Sequence, residues 1–284
     1  MRHLTALLLL LSCLAAGAQE MVRFGCEASD TVAINDMLRR GVEARPATPE
    51  AAVAFFARQF EGIPYQGGTL EGTPETLTVR IDSLDCTTFV ETAMALAFTL
   101  REGRSSWRDF VYNLRRIRYR GGEVNGYPSR LHYIADWAVD NRHRGNFTDV
   151  SDAFPKVSYI VRTIDFMSRH ADRYPALSDS ANLARIRDIE IGYRMHRFPY
   201  IKTSDLQNKT VRAALREGDV LALVSTLRDL DVTHMGIVVI EGGVPYLLHA
   251  SSSHGKVEVS EIPLSDFMKR NRQWAGIRVF RLND

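Results

Sequence analysis

The sequence predicts an α+β fold, with N-terminal helices packed on an antiparallel β-sheet and a helical insertion between them. Two patterns carry that expectation. Up to Leu100 the clearest apolar periodicity is helical, whereas after Gly218 the chain breaks into short β-rich runs divided by turn residues. Helices first and strands later point to α+β and away from alternating βαβ units. Size and composition supply the third observation. The chain has 284 residues, 45% hydrophobic and 25% charged, with a net charge of +2. That profile excludes disordered and collagen-like chains and suits one large domain or two small ones. The balanced charge offers no electrostatic footprint for a nucleic acid.

Residues 1–18 read as an export leader. Arg2 and His3 precede the apolar run Leu4 to Leu11, and Ala16-Gly17-Ala18 has the small-x-small form of a cleavage site, leaving Gln19 first. The run is short for a membrane span. Leu10-Leu11-Ser12-Cys13 also fits a lipidation box, which would place a lipid anchor at Cys13. Either reading, or an uncleaved anchor, exports the protein: to the periplasm, or to the outer membrane as a lipoprotein. In an oxidising compartment Cys26 and Cys86 could pair. The surroundings of Cys86 argue instead for a free thiol.

Residues 19–284 then form one domain. Thr31 to Arg45 reads as an amphipathic helix with Val32, Ile34, Met37 and Leu38 as its apolar side. Thr48-Pro49-Glu50 opens a second helix, with Thr48 as cap and Pro49 in the first turn, running to Phe60. Gly62 to Asp85 has loop punctuation around a strand at Thr76 to Ile81. Thr87 to Leu100 is apolar on most sides and predicts a buried helix. The mostly helical insertion spans about 104–210, with helices expected at Trp107 to Arg118, Ile134 to Asn141 and Lys156 to His170; Leu183 to Ile191 suits strand or helix. Strands follow at Val220 to Ser225, Thr233 to Ile240, Val244 to Ala250, Val257 to Ile262 and Trp274 to Leu282, with a helix at Ser265 to Asn271.

Chemistry gathers at three residues. Asp85 caps the buried helix and sets Cys86 in its first turn, where free N–H groups and the helix dipole favour a thiolate and can hold an oxyanion. Glu241-Gly242-Gly243 reads as a hairpin turn. A turn at Glu241-Gly242 makes His234 and His249 direct cross-strand neighbours; one at Gly242-Gly243 makes them diagonal neighbours on the same face. A cysteine nucleophile needs a histidine base, and that base needs a third group to orient it. The same three side chains could alternatively ligate zinc, although Cys86 lacks the close-spaced partner of structural zinc sites. The thiol reading requires no cofactor and no metal.

The wording of these segments resembles the NlpC/p60 cysteine peptidases and amidases of bacterial cell walls. The matching runs are Gly62-Ile63-Pro64-Tyr65-Gln66-Gly67-Gly68, Asp85-Cys86-Thr87-Thr88-Phe89, Arg216-Glu217-Gly218-Asp219, Thr233-His234-Met235-Gly236-Ile237 and Leu248-His249-Ala250-Ser251. Thr87-Thr88 stands where that family has Ser-Gly, and the stretch from Tyr65 to Cys86 is longer than usual. The resemblance implies a papain-like fold with Cys86 as nucleophile, His234 as base, His249 as orienting residue and Tyr65 at the oxyanion or substrate. The insertion, with Ser129-Arg130-Leu131-His132-Tyr133-Ile134-Ala135-Asp136-Trp137, looks like the amidase branch of that superfamily. That branch implies N-acetylmuramoyl-L-alanine amidase activity on muropeptides, particularly those ending in anhydro-muramic acid; the commoner family reaction cuts γ-D-glutamyl-diaminopimelate bonds. On this reading Arg130, His132, Tyr133, Asp136 and Trp137 would wall a substrate pocket, and the run Arg115 to Arg120 could meet muropeptide carboxylates. The partners are then peptidoglycan fragments, and a non-catalytic muropeptide-binding module is the alternative from another class.

Overall fold

The computed structural model describes residues 22–283. The leader, its cleavage site and Cys13 lie outside the described residues. The chain runs β1 (Val22–Phe24), α1 (Glu27–Ala44), α2 (Pro49–Arg58), β2 (Leu77–Val79), α3 (Cys86–Arg101) and α4 (Trp107–Arg118). Next come α5 (Ile134–His143), β3 (Phe147–Asp149), β4 (Val157–Arg162), α6 (Phe166–Arg169), α7 (Ser180–Ile191), β5 (His196–Lys202) and α8 (Lys209–Ala214). The rest is β6 (Val220–Ser225), β7 (Val232–Glu241), β8 (Val244–Ser251), β9 (Lys256–Val259), α9 (Leu264–Arg270) and β10 (Trp274–Leu282). Among the described residues, eight strands form one antiparallel sheet in the order β4-β5-β10-β6-β7-β8-β9, with β3 also paired to β10.

Local chemistry sets the helix starts. Thr48 accepts the Ala51 N–H, with Pro49 in the first turn of α2. Asp85 accepts the N–H groups of Thr87 and Thr88, while Thr88 returns its hydroxyl to the Asp85 N–H, a reciprocal capping box. In α1 the buried positions are Asp30, Ile34, Met37, Leu38 and Gly41. Val32, expected on that face, is 68% exposed, since two residues before Ile34 is the far side of a 3.6-residue turn.

The sheet is covered on both faces. One face meets α1 to α4 through Phe56, Phe60, Phe89, Val90 and Met94 against Met235, Ile237, Leu248 and Phe280. The other meets α8 and α9 through Val211, Leu264 and Met268 against Leu221, Leu223, Val238 and Val279. The helical layer and the sheet approach closely at α2. Gly218, at φ 83°, lies so near α2 that a Cβ there would stand 1.8 Å from the Glu50 carbonyl oxygen.

The insertion is less helical than expected. Lys156 to His170 forms strand β4 followed by the short α6, and β5 follows α7. Val157, Tyr159, Ile160 and Val161 are β-branched or aromatic, residue types that favour strands, and the run pairs with β5 throughout. Pro199 fits inside β5 because β10 reaches only Ile201 and Lys202, leaving the Pro199 nitrogen no ladder bond to supply on that side. Leu183 to Ile191 lies in helix α7, started by Asp179 capping the Ala181 N–H. The insertion therefore extends the sheet and keeps a small core of its own around Tyr133, Ile164, Met167, Leu177 and Ile186.

Candidate active site

Cys86 begins α3, and α3 packs across β7 and β8. The Cys86 sulfur, partly exposed, accepts the Met235 N–H from β7. Two of the helix-start N–H groups, those of Thr87 and Thr88, are spent on Asp85. The Cys86 N–H lies against its own sulfur. The oxyanion donors expected from the helix start thus narrow to the Cys86 N–H. Burial, followed by the Asp85 carboxylate, pushes the thiol up to about 11. The resting group is a neutral thiol, which corrects the thiolate expected from the helix dipole alone. Cys26 is exposed and Cys86 is not bridged to it; both are free cysteines.

The hairpin takes the Gly242-Gly243 turn. Ile237 pairs with Leu248 and Glu241 with Val244, with Gly242 at φ 57° and Gly243 at φ 78°, both in the left-handed region a two-residue turn of this kind requires. His234 and His249 are therefore diagonal neighbours on one face. A bulge at Thr233, where β6 opposes Val224 to Val232 and Leu223 to His234, re-aims this end of β7. His234 Nε2 and His249 Nδ1 stand 2.8 Å apart. Burial pushes His234 down to about 4, and burial with the neighbouring His234 pushes His249 to about 3. Both rings are neutral at pH 7, so one must donate to the other. If His234 donates through Nε2, its Nδ1 is the basic nitrogen left for a thiol.

Tyr65 reaches the same place from a loop. Gly62 donates to Val257 O, Tyr65 to Gly255 O and Gln66 to Leu84 O, which pins this segment between β9 and the start of α3. Burial, then the charges of Cys86 and Asp85, raise the Tyr65 phenol, keeping it a hydroxyl donor. Trp274 stacks on His234 with ring centroids 5.8 Å apart and donates its Nε1–H to Thr233, while Phe267 meets His249 edge-on at 5.2 Å. These aromatics and the two histidines open onto a cleft of about 630 Å³ whose rim includes Ser251, His254, Glu258, Arg270 and Arg272. No spacing pattern in the sequence singles out Phe267 or Trp274. Glu258 was findable only from the β8–β9 register.

The five insertion residues are placed differently. Arg130 is buried, bonded to Glu71 at 2.9 Å and 3.2 Å from Glu75. His132 holds the Tyr127 carbonyl at 2.9 Å, and burial with Arg130 pushes it down to about 3. Tyr133 donates to Glu190 and accepts from the Met167 N–H. Asp136 takes both Arg120 nitrogens and the Tyr193 hydroxyl. Trp137 is fully buried against Phe147 and Phe280. The residues lining the cleft beside His234 and His249 do not include these five. Of the arginine run, Arg116 pairs with Glu102, Arg118 with Glu91 and Arg120 with Asp136. Asp231, directly before β7, accepts the Ala135 N–H at 2.5 Å and so ties the start of α5 to the strand that carries His234.

Comparison with known proteins shows the family and the fold. A family model described as AmiA-like, N-acetylmuramoyl-L-alanine amidase-like, matches residues 55–277. A solved structure of an N-acetylmuramoyl-L-alanine amidase from Bacteroides uniformis is 35% identical, with a TM-score of 0.79, over 83% of this chain and 99% of that one. A second structure of a protein so named from the same organism is 36% identical, with a TM-score of 0.78, over 83% and 99%. A Legionella pneumophila protein, 20% identical with a TM-score of 0.68 over 91% and 97%, shares the fold. Among curated proteins there is no match. No helix among the described residues is long and apolar enough to cross a membrane. The family match covers most of the chain and includes α3, β7 and β8, which carry Cys86, His234 and His249, and the chain accordingly belongs to the AmiA-like family of N-acetylmuramoyl-L-alanine amidase-like proteins.

Proposed function

We propose that this protein is an exported cysteine hydrolase of the NlpC/p60 type that cuts the amide between N-acetylmuramic acid and L-Ala in peptidoglycan fragments, with anhydro-muropeptides as its preferred substrates. The observation that carries the thiol mechanism is the 2.8 Å His234–His249 pair, with His234 on the strand whose Met235 N–H holds the Cys86 sulfur. Export rests on the leader read at residues 1–18.

In this mechanism the Cys86 proton passes to His234 Nδ1 as the sulfur attacks the lactyl carbonyl. Because the resting thiol and imidazole are both neutral, transfer accompanies attack and does not precede it. The carbonyl oxygen gains charge beside the Cys86 N–H and the Tyr65 hydroxyl. His249 keeps His234 oriented throughout. His234 then protonates the departing L-Ala nitrogen, which breaks the C–N bond and leaves the muramic lactyl group as a thioester. Water, losing its proton to His234, releases that acyl group and restores the thiol. Arg270 and Arg272, which have no ion-pair partner among the described residues, suit the carboxylates of a stem peptide at the cleft rim.

Mass spectrometry of products from a defined anhydro-muropeptide tests the bond assignment. Free peptide beginning with L-Ala is expected. A sugar still carrying L-Ala-D-Glu would replace this reading with an endopeptidase. Cys86→Ala is expected to abolish product; full activity in that variant would overturn the thiol mechanism, as would activity lost to a chelator and restored by zinc.

A further inference from the structure

We propose that Glu258 is a positioning residue for the catalytic pair, supplying the negative charge that His249 cannot, and that His254 moderates it. The inference rests on the thiol reading of the site and extends it by one strand.

The need arises from charge. When His234 takes the thiol proton it becomes a cation, and the third group of such an array is most effective when it is an anion. Here that group is a second imidazole, neutral at pH 7. A neutral acceptor orients the base but compensates little of its charge. An anion close to His249 can do so through space, because its field stabilises positive charge that develops on the pair.

The fold supplies that anion on the neighbouring strand. His249 and Glu258 are register partners across β8 and β9, which puts their Cβ atoms about 4.5–5.5 Å apart on one face. Glu258 Oε1 stands 2.5 Å from His254 Nδ1, and His234, His249, His254 and Glu258 line the same cleft. The Glu258 side chain is 16% exposed, so its field is less screened than that of a surface carboxylate. It draws protons toward His249, and His254 opposes it.

The charged and titratable groups around His249 come from several elements. His234 faces it from β7, Glu258 from β9 and His254 from the turn after β8. Lys256 lies 4.0 Å from Glu258, and Glu261, Arg270 and Arg272 line the same cleft. Phe267 closes the α9 side with a ring that carries no charge. Among these, Glu258 is the carboxylate set directly across the ladder from His249. The chain of contacts therefore reads His234 Nε2–H to His249 Nδ1, with the remaining His249 proton on Nε2 and Glu258 beside that ring, itself held by His254.

The test uses the full chain and two readouts. Glu258→Gln keeps the size and removes the charge. It is expected to lower kcat on the anhydro-muropeptide about tenfold with little change in KM. It should also shift the acid limb of the kcat/KM profile about half a pH unit lower, since the base loses proton affinity. Glu258→Asp should recover part of the rate. His254→Gln is expected to move the limb the opposite way, because it removes the group that opposes Glu258. Iodoacetamide alkylation of Cys86 gives the second readout without any substrate, and its rate at pH 7 should fall in Glu258→Gln. A purely structural role would lower the unfolding midpoint and leave the pH limbs in place. Unmoved limbs and rates within twofold of the parent protein would overturn the proposal, as would His254→Gln shifting the limb in the same direction as Glu258→Gln. A parent protein that cleaves no muropeptide while its alkylation still responds to Glu258→Gln would overturn the proposed substrate and leave the Glu258 inference standing.

Discussion

Replacing Asp85 with Asn separates the two jobs this carboxylate performs. It caps α3 by accepting the Thr87 and Thr88 N–H groups and the Thr88 hydroxyl, and it sits one residue from a thiol that burial and its own charge hold up at about 11. At pH 7 such a thiol is ionised in about one molecule in ten thousand. Asn caps nearly as well as Asp, so the helix start should survive, at a cost of about 0.3–1 kcal/mol for the lost charge–dipole interaction. Removing the neighbouring like charge should lower the thiol by about one unit, at the low end of such effects. The thiolate fraction then rises about tenfold. Intrinsic nucleophilicity falls with pKa, with a slope of about 0.5, so the observed alkylation rate should rise only about threefold. Asp85→Ala removes the cap as well and should cost about 1–2 kcal/mol. Iodoacetamide rates between pH 6 and 9, with urea unfolding of each variant, measure both effects. An Asp85→Asn protein of near-native stability whose Cys86 reacts no faster would refute the claim that Asp85 holds the thiol protonated.

Two further outcomes follow from burial. His132, His234 and His249 are held neutral at about 3, 4 and 3, against an ordinary value of 6.5. Below pH 6.5 the unfolded chain therefore binds protons that the folded protein refuses, so the urea midpoint should fall from about pH 6.5 down to pH 4, and His132→Gln should flatten that slope. An acid slope unchanged in His132→Gln would show that this ring does not contribute. Trp137, packed between Phe147 and Phe280, should cost about 3–5 kcal/mol as Trp137→Ala. Trp137→Phe should cost under about 1.5 kcal/mol, since the indole Nε1 has no hydrogen-bond partner among the described residues. Denaturant midpoints of the two variants check both figures.

Much of the site was legible because it depends on local rules. Asp85 before an apolar helical run fixes where α3 begins, and a two-residue turn within Glu241-Gly242-Gly243 puts His234 and His249 on one face in either register, the structure taking the diagonal one. The β-rich runs after Gly218 became strands nearly residue for residue, β6 and β10 with the bounds expected. What stayed hidden depends on partners distant in sequence. Whether the Val157 run becomes strand or helix is settled by β5, about forty residues later. Arg130, Asp136 and Tyr133 carry the chemistry of a binding wall, but Glu71, Glu75, Arg120, Tyr193 and Glu190 occupy them, and no spacing rule announces such pairings. The thiol's state was legible only in part: a helix start favours the anion and the neighbouring Asp85 opposes it, while burial, which no sequence pattern shows, opposes it more strongly.

β10 is the strand on which the sheet converges: it borders β5 and β3 from the insertion as well as β6 from the half that carries His234 and His249. Its partners at Phe147–Asp149 were synthesised more than a hundred residues earlier. On the ribosome, β5 and β6 must wait with open edges until residues 274–282 emerge, and the same strand brings Trp274 to His234. Such long-range pairing is slow and leaves strands exposed in the meantime. The order of synthesis therefore keeps the surroundings of Cys86 and His234 incomplete until residues 274–282 have been made, so this site is assembled late in folding.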